Sequence, residues 1–507
     1  MGAELNRFAR LEVLWSVGVS LLWVLLLWRF WQYGPEVLGL NAAVYLVATA
    51  GLFIWSLHRR GIAARNYLYW LIPWGLTALS YAIYDNQFLR MVGLPVLLVW
   101  AAVFYNYTAV SAGRSLSWTP RLVVQLVGRG VSAVLAVVRS MQMHWRVLSL
   151  QKATRRGSLV RRVVFGVLVT LLLLLFVVLP LLSSADPAFA ASVASITDWF
   201  SGLLESSPVR RLLFAALLSV LTVAGLLAWN APAEDWKDEP ERPVDSVVFG
   251  IVLGGLLAVY LLFLGVQLQK LWVGQLPFEF KDAVYLVKSG FWQLLFLSVL
   301  NVAIYVGAYR RTVRGVQWLL SAFTLASLLL LASAGWRMGL YVLHYGFSYE
   351  KFFASYTVLY CTILFVWLVS RLFAVARADV LKFMATLFIW MFAVLALLPV
   401  EQIILRSNVV MAQLEGSRIR LVELTMLSPD AVNTVRELQT NGKLEKTLSD
   451  DLPDYRFYEL EQSPEEKLEQ YHEEQREMWR NWIDWQVGSV ARKTWYERSL
   501  TDWLVRY

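Results

Sequence analysis

The residues of this chain best suited to chemistry stand at the end of one apolar run. The run 316–334 stops at Gly335-Trp336-Arg337 and passes into Tyr341, His344 and Tyr345, the densest group of polar side chains at any edge of an apolar segment. An arginine in such a place can hold a phosphate or a carboxylate through two parallel hydrogen bonds. The plainer reading is an anchor, with Arg337 paired to lipid phosphates or to a neighbouring carboxylate. Asp186, in Ser184-Ala185-Asp186-Pro187, is the expected partner, because both residues follow spans that run in the same direction. Glu350 and Asp430 compete for that role. Asp186 before Pro187 also fits the cap of a helix with proline at its first position.

Other chemistries find little to work with. The four histidines, His58, His144, His344 and His472, show no metal-ligand spacing. Neither a phosphate-cradling glycine loop nor a nucleophile elbow occurs. The single cysteine, Cys361, excludes an intrachain disulfide and a thiolate metal site. Acids inside the apolar runs, which ion-driven transport usually needs, are nearly absent. Asp85 sits at a run's end, and Asn41 and Asn301 lie deeper. No catalytic residue, cofactor or metal is expected.

The elements that must position these groups are membrane helices. Of 507 residues 58% are hydrophobic and 16% charged, against about 25% charged in soluble domains. Eleven apolar runs approach the roughly 20 residues that a crossing helix needs: 11–30, 38–57, 67–84, 88–110, 163–182, 212–229, 246–266, 290–309, 316–334, 353–369 and 383–400. Backbone groups must be satisfied without water, so an all-α polytopic bundle is expected. The 24 tryptophans suit helix ends at headgroup level. Basic short loops put the N-terminus in the cytoplasm, and an odd number of spans puts residues 401–507 outside. That last segment carries 20 acidic and 14 basic residues, whereas the rest of the chain is strongly basic.

Residues 111–162 hold ten basic residues and no acidic one, dividing a four-span block (1–110) from a seven-span block (163–400). On a helical wheel Arg121, Arg139 and Arg146 fall on one stripe beside Gln125 and Ser132, with Leu, Val and Ala elsewhere. This is the pattern of a helix in the interface, its arginines toward anionic headgroups of the bilayer. A spanning or re-entrant helix with Arg129 buried is the second reading. A nucleic-acid partner is not expected.

Beyond residue 400 a small helical extramembrane domain is expected. Ser428-Pro429-Asp430 has the form of a helix start, Asn441-Gly442 of a stop, and Ser463-Pro464-Glu465-Glu466 of a capping box. Trp479, Trp482, Trp485, Trp495 and Trp503 pack on these helices or rest on the membrane or an envelope partner protein.

Several of these motifs, in this order, resemble a known group. They are Ser184-Ala185-Asp186-Pro187 with Phe189, Arg337 and Tyr341 with Tyr345-Gly346-Phe347-Ser348, Asn408, Leu427-Ser428-Pro429-Asp430-Ala431-Val432, and the stretch Trp482 to Arg492. Together they resemble bacterial integral membrane proteins grouped as domains of unknown function, numbered four-one-five-three and four-one-seven-three. The resemblance runs from about residue 163 to the C-terminus. It implies a bacterial inner-membrane location and a helical outer tail, and no activity. The residues favour a sensor, scaffold or assembly component of the envelope. The alternative is a transporter or transferase acting on an anionic or lipid-linked substrate near Arg337.

Overall fold

A computed structural model of the chain describes residues 2–63, 68–111, 118, 120–148, 207–229, 245–272, 296–307, 312–372, 379–414, 417, 419, 427–444 and 463–505. Their regular structure is helical throughout: α1 Gly2–Leu27, α2 Leu40–Arg59, α3 Leu68–Ile83, α4 Gln87–Ser111, α5 Pro120–Leu148, α6 Ser207–Trp229, α7 Ser246–Trp272, α8 Phe296–Gly307, α9 Arg314–Tyr345, α10 Tyr349–Leu372, α11 Val380–Leu397, α12 Val400–Met411, α13 Val432–Thr440, α14 Pro464–Ala491 and α15 Leu500–Val505.

Among the described residues eight helices are long and apolar enough to cross a bilayer: Arg10–Leu27, Leu40–Arg59, Gln87–Thr108, Pro208–Trp229, Ser246–Val266, Arg314–Tyr345, Tyr349–Arg371 and Val380–Leu397. Each matches a run read from the sequence. The runs 67–84 and 290–309 correspond to the shorter apolar helices α3 and α8, and the run 163–182 lies outside the described residues. The chain is therefore a multi-pass helical membrane protein.

Its contacts divide it into two compact units, one of residues 1–71, 95–115 and 122–233, the other of residues 72–94, 116–121 and 234–507. In the first unit α1 packs on α2 and α6. Asn41 acts there as a local clamp, accepting from Gly39 N–H (2.7 Å) and donating to the carbonyls of Leu26 (2.9 Å) and Val37 (2.8 Å). Helix α5 also belongs to this unit. Its Ser140 donates to the Val220 carbonyl (2.7 Å), and His144 Nε2 meets Ser219 Oγ (2.8 Å). The apolar face of α5, with Val127, Val131, Val134 and Leu135, stays exposed.

The second unit holds two cores. One, among α7–α11, is built on Leu253, Leu320, Phe323, Phe365 and Leu368 and contains a polar chain in which Tyr260 donates to Asn301 and Asn301 to Ser327. The other joins Leu89, Tyr341, Val342 and Leu395 to Val400, Ile404, Ala431, Val435, Trp479, Trp482, Val490 and Val505. The described part of 401–505 thus shares its core with the ends of apolar helices.

Candidate functional site

The polar site of the second unit is centred on the turn between α3 and α4. Asn86 caps α4, its Oδ1 accepting the Leu89 N–H (2.9 Å). One turn on, Arg90 folds back and donates to the carbonyls of Tyr84 (2.8 Å) and Tyr81 (3.3 Å), in and just past the last turn of α3. A cation at a helix C-terminus meets the negative end of the dipole. Arg90 also pairs with Asp85. Tyr81 closes the corner by donating to the Arg90 carbonyl (2.8 Å).

Four segments of the C-terminal region converge on this turn. Lys493, two residues past α14, pairs with Asp85 and with Asp502 (3.0 Å). Asp502 caps α15 with Ser499, accepting its N–H (2.8 Å) and hydroxyl (2.9 Å). Asp430 accepts the Asp85 N–H (2.6 Å) and the Thr501 hydroxyl (2.5 Å). Glu401, on α12, accepts the N–H (2.8 Å) and hydroxyl (2.7 Å) of Ser428, the Asn86 amide (3.3 Å) and the Tyr349 hydroxyl. Asp85, Glu401 and Asp502 are at most 1% exposed, and Arg90, Asp430 and Lys493 at most 6%.

Burial pushes the Asp85 carboxyl up to about 8, against the pull of Arg90 and Lys493. It pushes Asp430 up to about 6, with bonds from Thr501 and the Asp85 N–H holding it back. Burial and then the neighbouring Asp430 raise Glu401 well above the usual carboxylate range. Burial also works against the Asp502 charge, but Lys493, Arg90 and the Ser499 bonds outweigh it and hold that carboxyl low. Among the described residues four carboxyls face two cations; Asp85 and Asp502 touch those cations, whereas Glu401 and Asp430 meet neither of them.

The residues singled out from the sequence lie elsewhere in part. Tyr341 is buried, with Lys351 Nζ 4.6 Å from its ring centroid and the Tyr345 ring 5.0 Å away. Lys351 donates to the carbonyls of Tyr345 (3.0 Å) and Gly346 (2.9 Å), closing the end of α9. His344 is exposed. Arg337 falls within α9, its side chain not among those described, and Asp186 lies outside the described residues, as does Arg121's side chain. Arg139 and Arg146 are exposed, while Arg129 is half-buried and donates to the Trp229 carbonyl (2.9 Å). Beside Arg337's backbone an apolar groove of about 340 Å³ is lined by Ala332, Gly335, Trp336, Gly339, Leu340 and Leu343.

Two motif pairs meet in space. Asn408 accepts the Phe347 N–H (2.6 Å) and donates to the Phe347 carbonyl (2.8 Å). Gly346 has φ +69°, and a Cβ there would stand 2.7 Å from Asn408 Oδ1. Ser428, expected as a helix cap through its hydroxyl, instead gives that hydroxyl to Glu401, and a 3-10 turn Pro429–Ala431 leads into α13. The reason is local competition: the Glu401 carboxyl that accepts the Ser428 N–H accepts its hydroxyl too. Sequence reasoning missed Arg90, Glu401, Lys493 and Asp502. Arg90 carried a signal, an ionisable residue just inside an apolar run.

Among the described residues no group of three His, Cys, Asp or Glu is arranged to hold a metal. No curated protein and no solved structure matches the chain. The profile of a family described as a domain of unknown function (DUF4153) matches residues 71–438. That match starts earlier than the motifs implied, taking in the turn at Asp85, and stops before α14. With most of its length matched, the chain belongs to the DUF4153 family.

Proposed function

We propose that the protein is a non-enzymatic sensor, scaffold or assembly component of the bacterial envelope, built to hold a helical C-terminal segment against the membrane helices. Eleven spans, a cytoplasmic N-terminus and an extracytoplasmic segment 401–507 are part of this reading. The observation that supports it is the buried ionic cluster: Lys493, Asp502 and Asp430 meet Asp85 and Arg90 at the α3–α4 turn. Catalysis needs an approachable reacting group, whereas these charges are enclosed by one another. Such pairs fix one geometry more than they add stability. The exposed rings of Trp485, Trp495 and Trp503 are left to meet a partner protein of the envelope or the lipid surface.

The test is release of the segment. Lys493→Met should leave Asp85 and Asp502 without their shared cation and open residues 463–505 to limited proteolysis in membranes. Proteolysis unchanged from the parent would sink the reading. Cross-linking from position 495 or 503 then identifies what the segment meets.

The groove beside Arg337 favours a second reading, a transporter or transferase handling a lipid-linked substrate. Its apolar lining suits an acyl chain. Gly335→Leu with Gly339→Leu fills it, and this reading requires co-purifying lipid to fall.

A further inference from the structure

Glu401 and Asp430 are buried carboxyls with no cation on them among the described residues. Every described partner of their oxygens is a hydroxyl, a side-chain amide or a backbone N–H. Burying an unpaired carboxylate is costly, and a proton removes the charge. The surroundings accept either state. Tyr349 and Ser428 meet Glu401, and Thr501 meets Asp430, through O–H groups, which donate to a carboxylate and can turn to accept from a carboxylic acid.

The charged and titratable groups facing the pair come from every element around it: Tyr84, Asp85 and Arg90 at the turn, Tyr349 at the start of α10, and Lys493 and Asp502 from the C-terminal end. Both cations are already engaged with Asp85, and Lys493 also with Asp502. A cavity of about 10 Å³, the size of a single water, lies between the polar Ser80, Asn86 and Arg90 and the apolar Leu89 and Ala396, and Asn86 touches Glu401 directly.

We propose that Glu401 and Asp430 form a proton-binding site, and that its occupancy sets whether residues 428–505 stay docked on the turn at Asp85. The proposal deepens the docking reading above and rests on it. Losing both protons leaves two unpaired negative charges beside Asp85 and Asp502 inside a closed cluster. Burial favours the neutral acids. A folded-state value raised above the unfolded one gives stability that is present in acid and fades as pH rises through the folded value. The segment is held at low pH and loosens toward alkaline pH.

The experiment uses the full chain in nanodiscs, in a Cys361→Ser background. Met91→Cys and Leu500→Cys, both exposed positions, carry spin labels whose separation reports docking. Between about pH 5 and about pH 8 the undocked fraction should rise roughly tenfold more in the parent than in Glu401→Gln with Asp430→Asn, where Asp85 alone is left to titrate. A pH-independent fraction in the parent, or an undiminished rise in the amide variant, overturns the proton site. Lys493→Met separates the two ideas. If it undocks the segment while the parent ignores pH, the proton site alone fails; if it undocks nothing at any pH, the docking reading fails as well. Should the double variant not fold, the infrared C=O stretch of a protonated carboxyl at neutral pH, lost in Glu401→Gln alone, supports the site, and its absence in the parent refutes it.

Discussion

Asp85 is paired with Lys493, 408 residues away in the chain, and both side chains are almost fully buried. One contact thus ties the turn that opens an apolar spanning helix to the end of the last long helix. Arg90 on the same carboxyl and Asp502 on the same ammonium extend the pair into a chain of alternating charge. Each ion in that chain loses its hydration and regains it only from its neighbours.

Removing one member should therefore cost far more than the pair's own strength. Lys493→Ala leaves buried Asp502 without its lysine and Asp85 with Arg90 alone, a loss of about 3–5 kcal/mol. Arg406→Ala is the control. Arg406 and Glu437 pair at 2.8 Å but are more than half exposed, and such pairs contribute under about 1 kcal/mol. Thermal unfolding in detergent should separate the two variants clearly. Equal losses would mean that the cluster is hydrated.

The pH dependence of stability should have two limbs. Asp430, Glu401 and Asp85 are raised, so their contribution is complete in acid and lost as pH climbs through about 6 for Asp430 and about 8 for Asp85. Asp502 is lowered, so its contribution is present above the unfolded value of about 3.9 and lost as pH falls below it. Stability should peak in mildly acidic solution. Asp502→Asn should flatten the acid limb and Asp430→Asn the alkaline one, as read by unfolding midpoints across pH. A single optimum near pH 8 contradicts both assignments.

How far the sequence foretold this depends on the range of the interaction. Apolar runs and capping signals act within one turn or one helix, so the spanning helices, the Ser463–Glu466 capping box and the stop at Gly442 were legible. The partners of Asp85 were not, because nothing near it in sequence specifies a lysine 408 residues on. Ser428 shows the conflict at a single residue. Its local context prescribes a cap, and the buried Glu401 takes its hydroxyl instead. Of the polar residues singled out at the end of α9, Tyr341 and Tyr345 lie ring to ring at 5.0 Å. Their cation, Lys351, was overlooked because it belongs to the next helix.

Gly93 gives a steric prediction. A Cβ there would stand 2.6 Å from the Tyr81 hydroxyl, which is itself held by the Arg90 carbonyl. Gly93→Ala must displace that ring or break its bond, disturbing the corner that positions Arg90. In a Tyr81→Phe background the hydroxyl is gone and the nearest ring atom is 3.4 Å away. Tyr81→Phe alone should cost about 1 kcal/mol for the lost bond, and Gly93→Ala should then add little. Additive losses in this cycle would show that the strain lies elsewhere.

The remaining prediction concerns α5. Arg139 and Arg146 are exposed on one stripe with Leu135 at its edge, while Val127, Val131 and Val134 are exposed beyond it. The edge between Ser140 and His144 is buried against α6. A helix that opens both a basic stripe and a valine face, with its third side fixed to protein, fits the boundary between headgroups and hydrocarbon. Each arginine near an anionic surface is worth about 1 kcal/mol. A spin label on Val134→Cys, in a Cys361→Ser background, should be accessible to oxygen and shielded from a water-soluble relaxant in anionic nanodiscs. Arg139→Glu with Arg146→Glu should draw the label toward water in anionic lipid and leave it unmoved in neutral lipid. A label at the bilayer centre that ignores both charges would instead support the spanning reading, with Arg129 held inside by the Trp229 carbonyl.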